Sequence, residues 1–167
     1  MSKLTCPLCL KEIENYQAKI VRGTKVCEKC RDWAHEVQIL KAGGRVNCIP
    51  LPRIPDDAKM SYDELKSVRI AELELALENM RNKNLKIWQK FGRRRKELEH
   101  SRPLIKVMYK NFDGKQIRIE EMSVYNYLVR NVPLLEQEIE DLRERGQALK
   151  PKMRKLNEDI ERIKSIK

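Results

Sequence analysis

Cys6-Pro7-Leu8-Cys9, seventeen further residues, then Cys27-Glu28-Lys29-Cys30: this stretch decides how the chain starts to fold. Each Cys-x-x-Cys is a knuckle, a tight turn that aims two sulfurs at one point, and two knuckles at this separation read as a metal site. Four thiolates satisfy the tetrahedral preference of Zn²⁺ and leave no position for water. The expected ion is therefore one structural zinc on Cys6, Cys9, Cys27 and Cys30. A redox reading of either pair needs a thioredoxin-like βαβ context, which the sequence does not offer. The residues before Cys6 lack the apolar stretch of a signal peptide, and no run approaches the ~20 apolar residues of a membrane span. The expected location is the cytoplasm, where thiols stay reduced and paired cysteines serve as metal ligands.

Between the knuckles, Tyr16 to Val26 reads as two short strands turning at Arg22-Gly23. After Cys30, Arg31 to Lys41 has a helical pattern with Trp33, Val37 and Leu40 on one face, ended by Gly43-Gly44. Knuckle, hairpin, and a second knuckle at a helix start make a treble clef over residues 1–42. So small a module has little core, and the metal supplies much of its folding free energy. His35 is a spare imidazole on that helix, but the four cysteines already close the site.

The run Cys6-Pro-Leu-Cys9-Leu-Lys-Glu-Ile13, with Cys27-Glu-Lys-Cys30 leading into Ala34-His35-Glu36, resembles the zinc finger of the DksA/TraR family over about residues 5–37. Members of that family join such a finger to a coiled coil and bind bacterial RNA polymerase at its secondary channel. Here the finger precedes the long helices, whereas the family's finger is C-terminal. The family's Asp-x-x-Asp-x-Ala tip motif is also absent. What the resemblance carries over is the four cysteines as ligands.

Residues 43–60 read as a linker, stiffened by Pro50, Pro52 and Pro55; Cys48 within it has the default role of a small buried hydrophobe. Ser61-Tyr-Asp-Glu64 is a capping box, and the sequence stays helix-prone until Pro103. Ile70, Leu73, Leu77, Met80, Asn84, Ile87 and Phe91 form a heptad seam with one asparagine. Asn84 either fixes register and oligomeric state or sits half exposed in an intramolecular pair. Arg93, Arg94, Arg95 and Lys96 span nearly the whole helix circumference. They suit phosphate contacts or form an ordinary solvated surface, and Arg94 on the seam suggests looser packing there.

Leu104–Lys110 and Gln116–Glu120 alternate apolar and polar around Asp113-Gly114, which predicts a β-hairpin at about 104–120. Beyond it, Leu128, Val132, Leu135, Ile139, Leu142, Gly146, Leu149, Met153, Leu156, Ile160 and Ile163 repeat in heptads, predicting a second coiled-coil helix. The phase survives Pro133, Gly146 and Pro151, which favours one bent helix. The fold class is thus mainly α: a treble-clef finger, a Pro-rich linker, and a helical region over 61–167 interrupted by a hairpin. The seams pair within the chain as an antiparallel hairpin or between chains as a homodimer; the sequence leaves both open.

The formal net charge of +11 is spread as +3, +4 and +4 over residues 1–58, 59–100 and 101–167. A distributed positive field favours polyanions. Histidines number only two, and no Walker loop, His-Glu-x-x-His or Gly-x-Ser-x-Gly occurs, so no enzyme and no small-molecule substrate are expected. The leading expectation is a basic zinc-binding coiled-coil protein acting on nucleic acid or the transcription machinery, RNA polymerase included. The alternative is an assembly scaffold or adaptor with a structural finger and no nucleic-acid contact.

Overall fold

Residues 3–46, 59–112 and 119–166 are described by a computed structural model. Strand β1 (Lys3–Thr5) pairs antiparallel with β2 (Glu12–Glu14), with Leu4 opposite Ile13. Three residues per strand are too few to show a period, so no pattern in the sequence marks this pair. The turn between them is the first knuckle. The Cys6 N–H donates to Lys11 O and the Leu10 N–H to Cys6 O, both at 2.8 Å. Leu10 completes the turn at φ 60°.

The expected second hairpin forms from β3 (Lys19–Val21) and β4 (Thr24–Val26). Val21 faces Thr24, so Arg22 and Gly23 are the whole loop, at φ 49° and 80°. Two successive positive φ values make a type I′ turn, whose twist matches the strands. Arginine is an uncommon first residue there, but Arg22 Nε donates to Met60 O at 3.1 Å. Helix α1 (Glu28–Lys41) begins directly after Cys27, whose carbonyl accepts from the Arg31 N–H at 3.0 Å. It ends as expected at Gly43, φ 74°. The Gly43 and Gly44 N–H groups bond Leu40 O and Ile39 O, which is the Schellman closure of a helix. Of the expected face, Trp33 and Val37 pack half-buried against the core, but Leu40 does not. Leu40 is exposed, and Cys30, Ala34, Gln38 and Ile39 are buried. The reason is that Cys30 must face the other knuckle, and positions four and eight residues on follow it.

The core of this head contains Leu8, Ile13, Val21, Val26 and Ala34 around the cysteines, and it also takes Met60 and Leu65 from the start of the next helix. Met60 is held by both backbone groups. Its N–H donates to Gln38 Oε1 at 3.3 Å, and its carbonyl accepts from Arg22. Gln38 in turn donates to Ala34 O at 2.9 Å. Replacing Gln38 by leucine strands a buried N–H, and should cost about 1–3 kcal/mol. Urea denaturation monitored at Trp33 checks this; an unchanged midpoint would show that Gln38 is only filling space.

Helix α2 (Tyr62–Phe112) starts on the predicted capping box: Glu64 N–H donates to Ser61 Oγ at 3.2 Å, and Ser61 N–H to Glu64 Oε2 at 2.7 Å. Those bonds, with Lys41 at 3.0 Å, hold the Glu64 carboxyl down to about 2. Helix α3 runs Ile119–Ser165.

The predicted hairpin at about 104–120 is corrected. Residues 104–112 are the last turns of α2, and 119–120 already belong to α3; Asp113-Gly114 lies outside the described residues. Leu104, Ile105, Val107 and Met108 also fit a three-and-four spacing. An isolated two-stranded hairpin is marginal, whereas a helix already formed adds residues cheaply. Most of the linker, Cys48 included, is likewise outside the described residues.

The chain divides into two compact units. Met1–Leu77 with Arg154–Lys167 form one, and Glu78–Met153 the other. In each unit α2 and α3 lie antiparallel. In the first, Lys164 pairs with Glu74 at 3.0 Å, and Lys66 Nζ donates to the carbonyls of Lys164 and Ile166 at the α3 C-terminus. In the second, Lys90 and Arg94 reach Glu138 at 2.6 and 3.0 Å, and Arg102 reaches Glu136 at 2.6 Å. The seams therefore meet within one chain.

Burial follows the heptads closely. Leu77, Ile87 and Leu98 on α2, and Leu135, Leu142, Ile160 and Ile163 on α3, are buried, and the seam residues between them are half-buried. The seam continues through Arg94 to Leu98: Arg94 lies half-buried, its guanidinium is neutralised by Glu138 and Glu97, and beside it a cavity of about 210 Å³ is lined by the seam residues Leu128, Val132 and Leu135 among others. Asn84 is half-buried, with its Oδ1 shielded from water and lacking a hydrogen-bond partner.

Candidate metal centre

The Sγ atoms of Cys6, Cys9, Cys27 and Cys30 all lie within 4.8 Å of one another. All four are free thiols. Each knuckle contributes by local geometry. The β1–β2 turn presents Cys6 and Cys9, with Leu8 between them driven fully inside. Cys27 caps α1, and Cys30 lies in its first turn. The positive end of the α1 dipole therefore sits beside two sulfurs, which favours their thiolate form. Cys6, Cys27 and Cys30 are buried and Cys9 half-buried.

The donor set fits a metal ion. Sulfurs at ~2.3 Å around a tetrahedral zinc are about 3.8 Å apart, and Cys9 and Cys27 are 3.6 Å apart here. The electrostatics agree. Hydrogen bonds with Cys30 and Cys9 hold the Cys6 thiol far below its usual range. Cys30 is pushed far up by its bonds to Cys6 and Cys9 and by burial. For Cys9 the bond to Cys30 pulls downward, but the bond to Cys6 and burial win, and it is pushed up to about 11. One thiolate forms readily and its neighbours then resist. A divalent cation at the centre removes that conflict and permits four.

No protein-family model, curated protein or solved structure matches this chain. The reading of the site rests on its own geometry.

A second layer of side chains ties the cluster to the helices, and the sequence reading missed it. Arg69 Nε donates to Leu8 O at 3.4 Å, inside the first knuckle. Its guanidinium pairs with Glu72 at 3.0 Å and lies 5.5 Å from the centre of the Trp33 ring. The Trp33 indole N–H donates to both carboxylate oxygens of Glu72 at 3.1 Å. Knuckle, α1 and α2 thus meet at one charged cluster. These residues are scattered over 65 positions of sequence, so no local motif signals them. His35 is half-buried on α1 and is not among the clustered metal-ligating groups.

The four basic residues of the predicted phosphate site are not alike. Arg94 is bound to Glu97 and Glu138, and Arg95 to Glu99 at 2.9 Å. Lys90 first, and Arg94 with it, hold the Glu138 carboxyl below its usual range. Arg93 and Lys96 are exposed and make no ion pair among the described residues. Two of the four charges are thus paired, Arg94 across the helices and Arg95 within α2, and two face solvent.

Among the described residues, no helix is long and apolar enough to cross a membrane.

Proposed function

We propose that this chain is a cytoplasmic, non-enzymatic zinc protein whose treble-clef head and antiparallel coiled-coil arm bind nucleic acid or the transcription machinery. The single observation that carries the zinc part is the four-thiol cluster: closed, largely buried, and tied to α2 by Arg69, which donates to Leu8 O inside the first knuckle. A closed tetrathiolate site is a fold-maker, so the work falls to surfaces. The excess of eleven positive charges supports a polyanionic partner. The partial likeness of the head to DksA/TraR fingers supports a polymerase as one such partner.

Metal analysis of the purified protein should find one zinc per chain; iron in its place would overturn the ion, and none would overturn the site. Oligonucleotide binding should weaken steeply as salt rises, because phosphate contacts release counterions. Absence of binding at low salt, with no capture of RNA polymerase, would remove the nucleic-acid and transcription reading.

A protein-assembly role is a second reading, and one observation favours it. Leu104, Val107, Tyr109, Val124, Tyr127 and Leu134 are all exposed on the 104–134 segment of α2 and α3. They occupy more than one side of the helices, and helices apolar on several sides are ordinarily covered by protein.

A further inference from the structure

The head bears a second feature beside the thiol cluster. Tyr16 and Gln17 sit on a single 3-10 turn (Asn15–Gln17) that follows β2. The Tyr16 ring is 74% exposed, an unusual setting for so large an aromatic surface. Its hydroxyl accepts from Gln17 Nε2 at 3.3 Å. The turn is anchored at its base, where Lys25 Nζ donates to Asn15 Oδ1 at 2.9 Å. Beside the ring opens a cavity of about 440 Å³, lined by Tyr16, Lys11, Lys19, Lys29, Glu28 and Cys27 of the thiol cluster among others. None of the three lysines makes an ion pair among the described residues. Glu28 leans toward Arg31, 3.8 Å away.

We propose that this cavity binds single-stranded nucleic acid, one base stacking on Tyr16 and the flanking phosphates lying on Lys11, Lys19 and Lys29. The inference rests on the nucleic-acid reading above and gives it a place on the head, separate from Arg93 and Lys96. The chemistry selects a single strand because a duplex has no free base face to offer an aromatic ring, whereas an unpaired base stacks on one without regard to sequence. The cavity has the dimensions of small-molecule sites, which run from about 300 to 1,000 Å³. A zinc tetrathiolate behind it carries about −2 and Glu28 adds −1, so the three ammonium groups bring the site only to about neutral. Stacking therefore has to supply a large part of the affinity.

The test is fluorescence anisotropy with a labelled oligonucleotide of mixed sequence, as a single strand and as a duplex, using the full chain. Zinc content and far-ultraviolet circular dichroism verify that each variant is folded. Tyr16→Ala should weaken single-strand binding about tenfold and leave duplex binding nearly unchanged; Tyr16→Phe should bind as the parent does. Lys11→Gln with Lys19→Gln and Lys29→Gln should lower the slope of log affinity against log salt by about 2. If the parent binds but these variants bind equally well, the cavity is the wrong place and the broader reading stands. If Arg93→Gln with Lys96→Gln abolishes binding while the cavity variants do not, the same conclusion follows. If the parent binds no oligonucleotide at low salt, both fail. An acidic peptide that displaces the oligonucleotide, and binds Tyr16→Ala as tightly as the parent, would assign the cavity to protein instead.

Discussion

Replacing Cys6 by serine should unfold the head while leaving the helix pair of the second unit formed. Tetrathiolate and related zinc sites in small fingers contribute about 10–16 kcal/mol at neutral pH. No core the size of this head's compensates for losing a large part of that. Cys6 is also fully buried, so the serine hydroxyl would add an unmet polar group in place of the sulfur. The chain's two tryptophans allow the outcome to be read separately, since Trp33 lies in the head and Trp88 in the second unit. With Trp88→Phe as background, the emission of Trp33 should shift to the red in Cys6→Ser or on adding a zinc chelator. With Trp33→Phe as background, the emission of Trp88 should hold. A Cys6→Ser protein that binds metal as the parent does and keeps its Trp33 spectrum would overturn the metal centre.

The next largest effect concerns a glycine that sequence rules would replace. Gly146 is the one non-apolar member of the α3 seam, and leucine there would complete the heptads and raise helix propensity by up to ~1 kcal/mol. The structure opposes this. A Cβ at Gly146 would stand 2.9 to 3.1 Å from three atoms of the Trp88 indole. That ring is held in place, edge to face with Phe91 at 5.1 Å and with Lys150 Nζ 5.5 Å from its centre. Gly146→Leu should therefore destabilise the helix pair by about 3 kcal/mol, since overpacking against a rigid ring outweighs the propensity gain. Thermal denaturation measures it. Adding Trp88→Ala to Gly146→Leu should restore most of the loss, because the leucine then fills the space the indole left. A stable single variant would mean that the two helices can slide apart at little cost.

Much of this was legible in the sequence because its signals are local. Two Cys-x-x-Cys turns, the Arg22-Gly23 loop, the Ser61–Glu64 box and both heptad seams depend on neighbours within a few residues. The cysteines indeed converge, and the seams are the buried stripes. What escaped has a different physics. The β1–β2 pairing needs only three residues per strand, too short to leave a period. Alternation over Leu104–Lys110 resembled a strand, yet a helix already more than forty residues long extended through it and through Pro103. Gly146 looked like a weak point because the partner that requires it, Trp88, is remote in sequence. The charged cluster of Trp33, Arg69 and Glu72 was invisible for the same reason.

The grip on Met60 has a mechanical meaning. A residue at the end of a proline-rich segment would ordinarily be a swivel. Here its N–H is held by α1, its carbonyl by the β3–β4 turn, and its side chain by the core around the cysteines. One residue later the capping box fixes the first turn of α2. The head and the root of the long helix therefore rotate together, as a wrench and its shaft would. A partner that seizes the head also takes hold of the direction in which α2 sets out.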